Sequence, residues 1–357
     1  MPDAVTQLNA SLLPTSVGSF PHTDVNEACD LILENFPEMP VWPQLPGTSL
    51  NEQMEIQYSE GMPCIVIDCQ KERMYFDTDG DPTAALETFY ENVINDNVNY
   101  FNISEAYSRG IYAMEKRLKS SNNNPIRYFK MQVTGPVSFG LTIVDENKRA
   151  IYYNDIFRDT VVKGIAMKAR WLLRKFQPLI DKRICFIDEP ILSAFGSSTY
   201  VSVKRDDVVS HLTEVVDAVH AEGALAGIHC CGNTEWTIPI DTGADIINFD
   251  AYGYGETLGL YPEQLKSFLE KGGVLAWGIV PTSEMIDKED AKSLASLFES
   301  LVDGLVQKGI DRDRLINQAI FTASCGTGSV PVERAERVAR ETRVVSDLLR
   351  ERYGESI

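Results

Sequence analysis

Ala224-Leu225-Ala226-Gly227-Ile228-His229-Cys230-Cys231-Gly232 is an apolar run that ends in residue types able to bind a soft metal. Side chains alternate along an extended segment, so His229 and Cys231 point one way and Cys230 the other, into packing. The same pattern recurs along the chain: a short apolar run, a loop of small or polar residues, then a longer stretch with apolar residues every three or four positions. Predicted strands are 16–20, 40–45, 129–133, 184–187, 224–229, 245–249, 274–280 and 319–322. Helical patterns cover 82–95, 155–176, 206–222, 262–271, 288–308 and 331–353, several opening on Pro or Asp, as first turns and caps do. Eight strands alternating with helices predict an α/β fold, a (β/α)8 TIM barrel. The segments 62–68 and 73–77 flank Cys69 to Glu72 and predict a β-hairpin inserted after strand 2, placed to act as a flap.

The 357 residues, 44% of them hydrophobic, suffice for a large core, and one barrel can run this long. The expected organisation is an N-terminal arm, 1–14, and a single barrel, 15–357; the polar stretch 119–124 reads as an internal loop. Lys and Arg total 33 against 52 Asp and Glu, a net charge of -19 with no basic patch, which argues against nucleic acid and anionic membranes as partners. Apolar runs fall short of the roughly 20 residues of a membrane span. Seven widely spaced cysteines without an N-terminal signal pattern predict free thiols and a cytoplasmic location.

Of four histidines only His229 lies beside cysteines. Cys325, in Phe321-Thr322-Ala323-Ser324-Cys325-Gly326, also stands where an apolar strand meets turn residues. His229, Cys231 and Cys325 make an N/S ligand set suited to Zn2+ with an exchangeable position, and Asp250, ending the next strand, is a fourth candidate. Asp188-Glu189-Pro190 puts acids at a strand's C-terminal end, where barrel sites form and an amine can be gripped; a loop or helix-start salt bridge is the competing reading. Val17-Gly18-Ser19-Phe20-Pro21 offers backbone N–H groups and a hydroxyl to a carboxylate. Gly253-Tyr254-Gly255 and Gly326-Thr327-Gly328 match no nucleotide-binding spacing.

These segments resemble, from about Pro14 onward, the C-terminal catalytic barrel of cobalamin-independent methionine synthase, in the uroporphyrinogen decarboxylase/methionine synthase-like superfamily. The resemblance implies an enzyme, a methyltransferase that methylates homocysteine to methionine. It implies that Gly18 and Ser19 hold the substrate carboxylate, that Asp188 holds its amine with Gln44 or Glu52 as a second partner, and that His229, Cys231 and Cys325 bind zinc. Thr134-Gly135-Pro136 is similar too. Asp250 falls where the family has a glutamate ligand, a shorter reach. Members of full length carry a second, N-terminal barrel for which this chain has no room. They also carry a histidine after the seventh strand to protonate the folate leaving group, whereas 277–283 reads Trp-Gly-Ile-Val-Pro-Thr-Ser.

Without that proton donor, the expected methyl donor is a methylcorrinoid, either methylcobalamin or a partner corrinoid protein. Residues 228–234 are also similar to corrinoid-dependent methyltransferases that act on coenzyme M, which keeps that thiol open as acceptor. Two readings from other classes are a zinc-stabilised corrinoid- or thiol-binding protein without chemistry, and a decarboxylase on the same barrel.

Overall fold

The protein, as a computed structural model, is described over residues 8, 10–120 and 125–354. Nine strands are present among them. β1 (Ile65–Asp68) and β2 (Arg73–Phe76) pair antiparallel, and β4 (Val144–Asp145) joins β2 to complete a three-stranded sheet. β3 (Phe129–Thr134), β5 (Arg183–Asp188), β6 (Leu225–Cys230), β7 (Ile246–Phe249), β8 (Val274–Val280) and β9 (Ala319–Ala323) form a six-stranded parallel sheet in chain order. The fold is α/β, with this sheet an open half-barrel.

The parallel strands are buried on both faces, which is why they read as continuous apolar runs. On one face Ile184, Phe186, Leu225, Ile246, Val274 and Ile320 form a core of their own. The other face, including Cys185, Ile228, Cys230, Phe249 and Trp277, packs against the helices. The longest of these, Asp155–Phe176 and Val332–Tyr353, contain 22 residues each, and the first is capped by the Asn154 side chain. Among the described residues no helix is long and apolar enough to cross a membrane.

Six of the eight predicted strands form ladders. The other two segments attach only by isolated parallel bridges, Val41 to Lys130 at the β3 edge and Ser19 to Gln44 between them, while Pro14, just before the first segment, bridges Phe321 at the β9 edge. Their sequences explain it, since Pro40 and Pro43 have no N–H to donate and Gly18 adopts φ 140°. The described part of the expected arm is docked rather than free. Leu8, Ala10 and Leu13 enter the inner core, and Leu12 N–H donates to the Ala319 carbonyl at 2.9 Å. Positions 1–7 and 9 of the arm and 121–124 of the expected 119–124 loop lie outside the described residues, while Lys119 and Ser120 end the helix Arg109–Ser120.

The adjacent acids Asp188 and Glu189 separate. Glu189 is fully buried and accepts from the Val137 and Ser138 N–H groups, both at 2.8 Å, and from the Ser138 hydroxyl at 2.6 Å. It thereby covers the free N-terminus of the helix Pro136–Thr142, which follows β3. Gly135 must lack a side chain, because a Cβ there would lie 2.0 Å from the Glu189 carboxyl. Replacing Glu189 with Ala strands two buried N–H groups. The Glu189→Ala protein should lose about 3 kcal/mol of stability, read from its urea transition; an unchanged midpoint would contradict this role.

Candidate metal centre

β6 delivers its residues as the alternation requires. His229, 3% exposed, faces inward, while Cys230 packs outward into the helix-side core. One residue past the strand, Cys231 again faces the inner side. Cys325, two residues past β9, completes the group: one ligand atom each from His229, Cys231 and Cys325 lies within 4.8 Å of the others.

A hydrogen-bond chain orients the histidine. His229 Nδ1 lies 2.7 Å from Asn248 Oδ1, on the neighbouring strand. Asn248 Nδ2 donates to the Ala276 carbonyl and to the Thr322 hydroxyl, both at 2.8 Å. With both amide hydrogens used, the oxygen faces the ring and accepts from Nδ1–H. Nε2 is then the nitrogen left with a lone pair for a metal. Asn248 was missed in the sequence, where its only signal is a polar residue inside Ile246–Phe249.

The two thiols are coupled. The Cys325 thiol hydrogen-bonded to Cys231, together with His229, holds Cys231 well below the ordinary thiol value, against the effect of burial. The same contact, together with burial, pushes Cys325 up. Burial opposes a charge on His229, but its hydrogen bond to Cys231 and the nearby Asp188 raise it on balance. A nitrogen and two sulfurs so close, one sulfur already inclined to lose its proton, fit a soft dication such as zinc.

Around this group is a cavity of about 510 Å³ lined by Ser19, Gln44, Glu52, Met54, Asp188 and Ser329, among others. The 44–54 segment forms its wall. The hairpin does not line it, so the expected flap is not there: β2 pairs with β4, and Phe76 packs on Phe139 and Phe157. Asp188 is 6% exposed, and its Oδ1 has no hydrogen-bond partner. Burial pushes its carboxyl up to about 6, with Lys130 and His229 pulling the other way. Lys130, fully buried, stands 4.5 Å from the Phe186 ring centroid and donates to the Val17 carbonyl. Burial brings it down to about 8, against the attraction of Asp188.

Glu52 is also buried. Its Oε1 accepts from Arg109 Nε at 2.7 Å, while Oε2 has no partner. Gly18 packs so closely on Gln132 that a Cβ would come within 2.5 Å of that side chain. Ser19 ties two loops together: its carbonyl accepts from Thr327 N–H at 2.9 Å, and its hydroxyl oxygen accepts from Gly328 N–H at 3.3 Å. The turn carrying Cys325 is thus fixed to the segment carrying Gly18. Asp250 does not join the cluster. Its carboxylate accepts from Gly253 N–H at 2.7 Å and caps the short helix Ala251–Tyr254.

No family model and no curated protein matches this sequence. Among solved structures, the chain matches a B12-independent methionine synthase from Shewanella sp. W3-18-1 in complex with selenomethionine. The match has a TM-score of 0.57 and 12% identity, covering 96% of this chain and 99% of that one. The chain therefore shares its fold, over nearly its full length, with a cobalamin-independent methionine synthase. A second match, ZgEngAGH5_4, has a TM-score of 0.41 and 11% identity over 69% of this chain and 78% of that one, too low to bear on function. The first match corrects the expected donor. The synthase that shares this fold is described as B12-independent, so methylcobalamin and a methylcorrinoid cofactor are withdrawn as donor, and a corrinoid-protein partner gains no support from it.

Removing the Asn248 amide should weaken the centre without removing a ligand. Asn248→Ala should lower zinc affinity by about 10- to 100-fold, measured by competition with a chromophoric chelator. Equal affinity in variant and parent would mean that Asn248 does not orient His229.

Proposed function

We propose that this chain is a zinc-dependent methyltransferase converting homocysteine to methionine with a donor other than a corrinoid. The observation that carries this reading is the convergence of His229, Cys231 and Cys325 beside a buried acid with an unpaired oxygen. The fold shared with a methionine synthase described with selenomethionine bound, a close analogue of the product, supports it. We also read the 16–20 and 40–45 segments as the first two staves of a closed (β/α)8 barrel formed by residues 15–357. On that reading β1 and β2 form a hairpin inserted after the second stave. Seven unpaired cysteines suit a reducing, cytoplasmic setting.

Zinc held by His229, Cys231 and Cys325 would supply a Lewis acid that lets a substrate thiol lose its proton near neutral pH. The chain's own groups then bind and aim that substrate. Asp188 Oδ1 receives the ammonium, a charged hydrogen bond that offsets its burial. Because the Ser19 hydroxyl oxygen already accepts from Gly328 N–H, its hydrogen is left to donate to the substrate carboxylate. Anchoring both ends of the amino acid fixes the direction of its sulfur, so the methyl can be met in line. Lys130 holds the Val17 carbonyl and so keeps the Gly18–Ser19 segment in place.

Cys231→Ser and Cys325→Ser should each lose bound zinc, measured by elemental analysis, together with methionine formation. Full activity without bound metal would refute the proposal. Asp188→Asn should keep its zinc and raise the homocysteine KM by about tenfold or more.

A further inference from the structure

We infer that Lys130 is a specificity-determining residue, the buried cation that makes the cavity select thiols carrying both a carboxylate and an ammonium. This deepens the proposed function and rests on it. Lys130 and Gln132 are both fully buried side chains of β3. Lys130 Nζ donates to the Val17 carbonyl, and Gln132 Nε2 donates to the Trp42 carbonyl at 3.1 Å. One strand thus ties down the two segments, 16–20 and 40–45, that form no ladder of their own. The two tethers differ in charge: Gln132 is neutral and Lys130 is a cation.

A tether does not require the charge. A neutral amide serves at Trp42, whereas burying an ammonium is costly unless the charge is matched. The polar and ring contacts that Lys130 makes are themselves neutral: the Val17 carbonyl, the Gln132 amide oxygen at 3.5 Å, and the Phe186 ring with its centroid 4.5 Å from Nζ. Its charge acts instead on Asp188, whose attraction opposes the effect of burial. Burial leaves the amine at about 8, so it is protonated at neutral pH.

The charges around the cavity pair off except at one place. The ionisable lining residues are Glu52, Asp188, His229, Cys231 and Cys325. Glu52 is matched by Arg109, 2.7 Å away. Two thiolates and a neutral histidine balance a bound dication. What remains is Asp188 and, behind Val17, Lys130. In the empty cavity these two offset each other. An amino-acid thiol presents the complementary pair, its ammonium to Asp188 and its carboxylate to Ser19. Val17 and Ser19 both line the cavity, so the Lys130 ammonium stands behind the wall that receives the carboxylate. Direct contact is not needed: at an effective dielectric of about 20, one unit charge alters the binding of another tenfold out to roughly 12 Å. A thiol with only an ammonium takes Asp188 and leaves Lys130 unmatched, and a thiol with only a carboxylate does the converse.

The test measures ligand binding to the zinc-loaded full chain by calorimetry. The ligands are homocysteine, 4-mercaptobutyrate, which lacks the ammonium, and 3-mercaptopropylamine, which lacks the carboxylate. The unsubstituted protein should bind homocysteine more tightly than either analogue by about tenfold or more. Lys130→Met should lower the affinity for 4-mercaptobutyrate relative to 3-mercaptopropylamine by about tenfold or more, with zinc content unchanged. Lys130→Gln, which keeps an N–H donor and removes the charge, should shift that ratio in the same way. Equal losses for all three ligands, the parent's ratio in Lys130→Gln, or homocysteine bound no better than the analogues would overturn the inference and leave the proposed function standing. So would variants that no longer hold zinc, since Lys130 would then be a structural group. Unsubstituted, zinc-loaded protein that fails to bind homocysteine would overturn the proposed function, and this inference with it.

Discussion

The Asn248 amide has only one arrangement open to it. Its two hydrogens go to the Ala276 carbonyl and the Thr322 hydroxyl, so its oxygen must face His229. Three neighbouring strands, β7, β8 and β9, thereby determine which nitrogen of a histidine on β6 is available. Parallel strands in register bring these residues to one level, as the pairing of His229 with Asn248 and of Asn248 with Ala276 shows. A one-residue slip would turn Asn248 outward into the helix-side packing and leave the ring unoriented. The correct register of the sheet and the selection of a metal-binding nitrogen are therefore the same requirement.

The inner face changes character along the strands for a related reason. At one end it is apolar, Ile184, Leu225, Ile246, Val274 and Ile320 being closed off by Leu8, Ala10 and Leu13 of the N-terminal segment. Lys130 and Phe186 follow, then Asp188, His229, Asn248 and Thr322, all of them buried. Charges placed this deep must be matched. Lys130 finds the Val17 carbonyl and the Phe186 ring, and Gly227 makes room because a Cβ there would come within 2.5 Å of that ring. Asp188 lies at the level where this packing ends and the cavity begins, which is why one of its oxygens is still free for a ligand. Ser19 and the 326–328 turn clamp the opposite ends of the chain around the same opening.

What could be read from the sequence follows how local each feature is. The alternation of His229, Cys230 and Cys231 needs only an extended backbone, and the helix Asp155–Phe176 needs only its own periodicity and cap; both agree with the structure. Cys325 was found because a strand end followed by glycine is also a local signal. The role of Asn248 depends on partners 28 and 74 residues away and is not written in its neighbourhood. Asp188 and Glu189 are chemically alike in sequence, and it is the position of the helix Pro136–Thr142 that takes one of them for capping. Asp250 is given to the helix starting at Ala251, so a carboxylate in a ligand's place became a cap. The first two segments fell short of full ladders because prolines and the Gly18 backbone interrupt the regular hydrogen bonding that their apolar pattern suggests.

A missing proton donor constrains the leaving group, and the metal or carrier behind it only indirectly. The 277–283 segment carries no histidine, and Gly278 must stay without a side chain because the Phe249 carbonyl and Ser324 Cα crowd it at 2.5 and 2.9 Å. That feature of the segment stands, and in the proposed reaction it favours departure of a group that needs no proton. Methylcobalt is one carrier that departs so, but any onium methyl does as well, since cleavage returns a lone pair to an atom that began with a positive charge. The step from no acid to corrinoid therefore took a general property for a specific one.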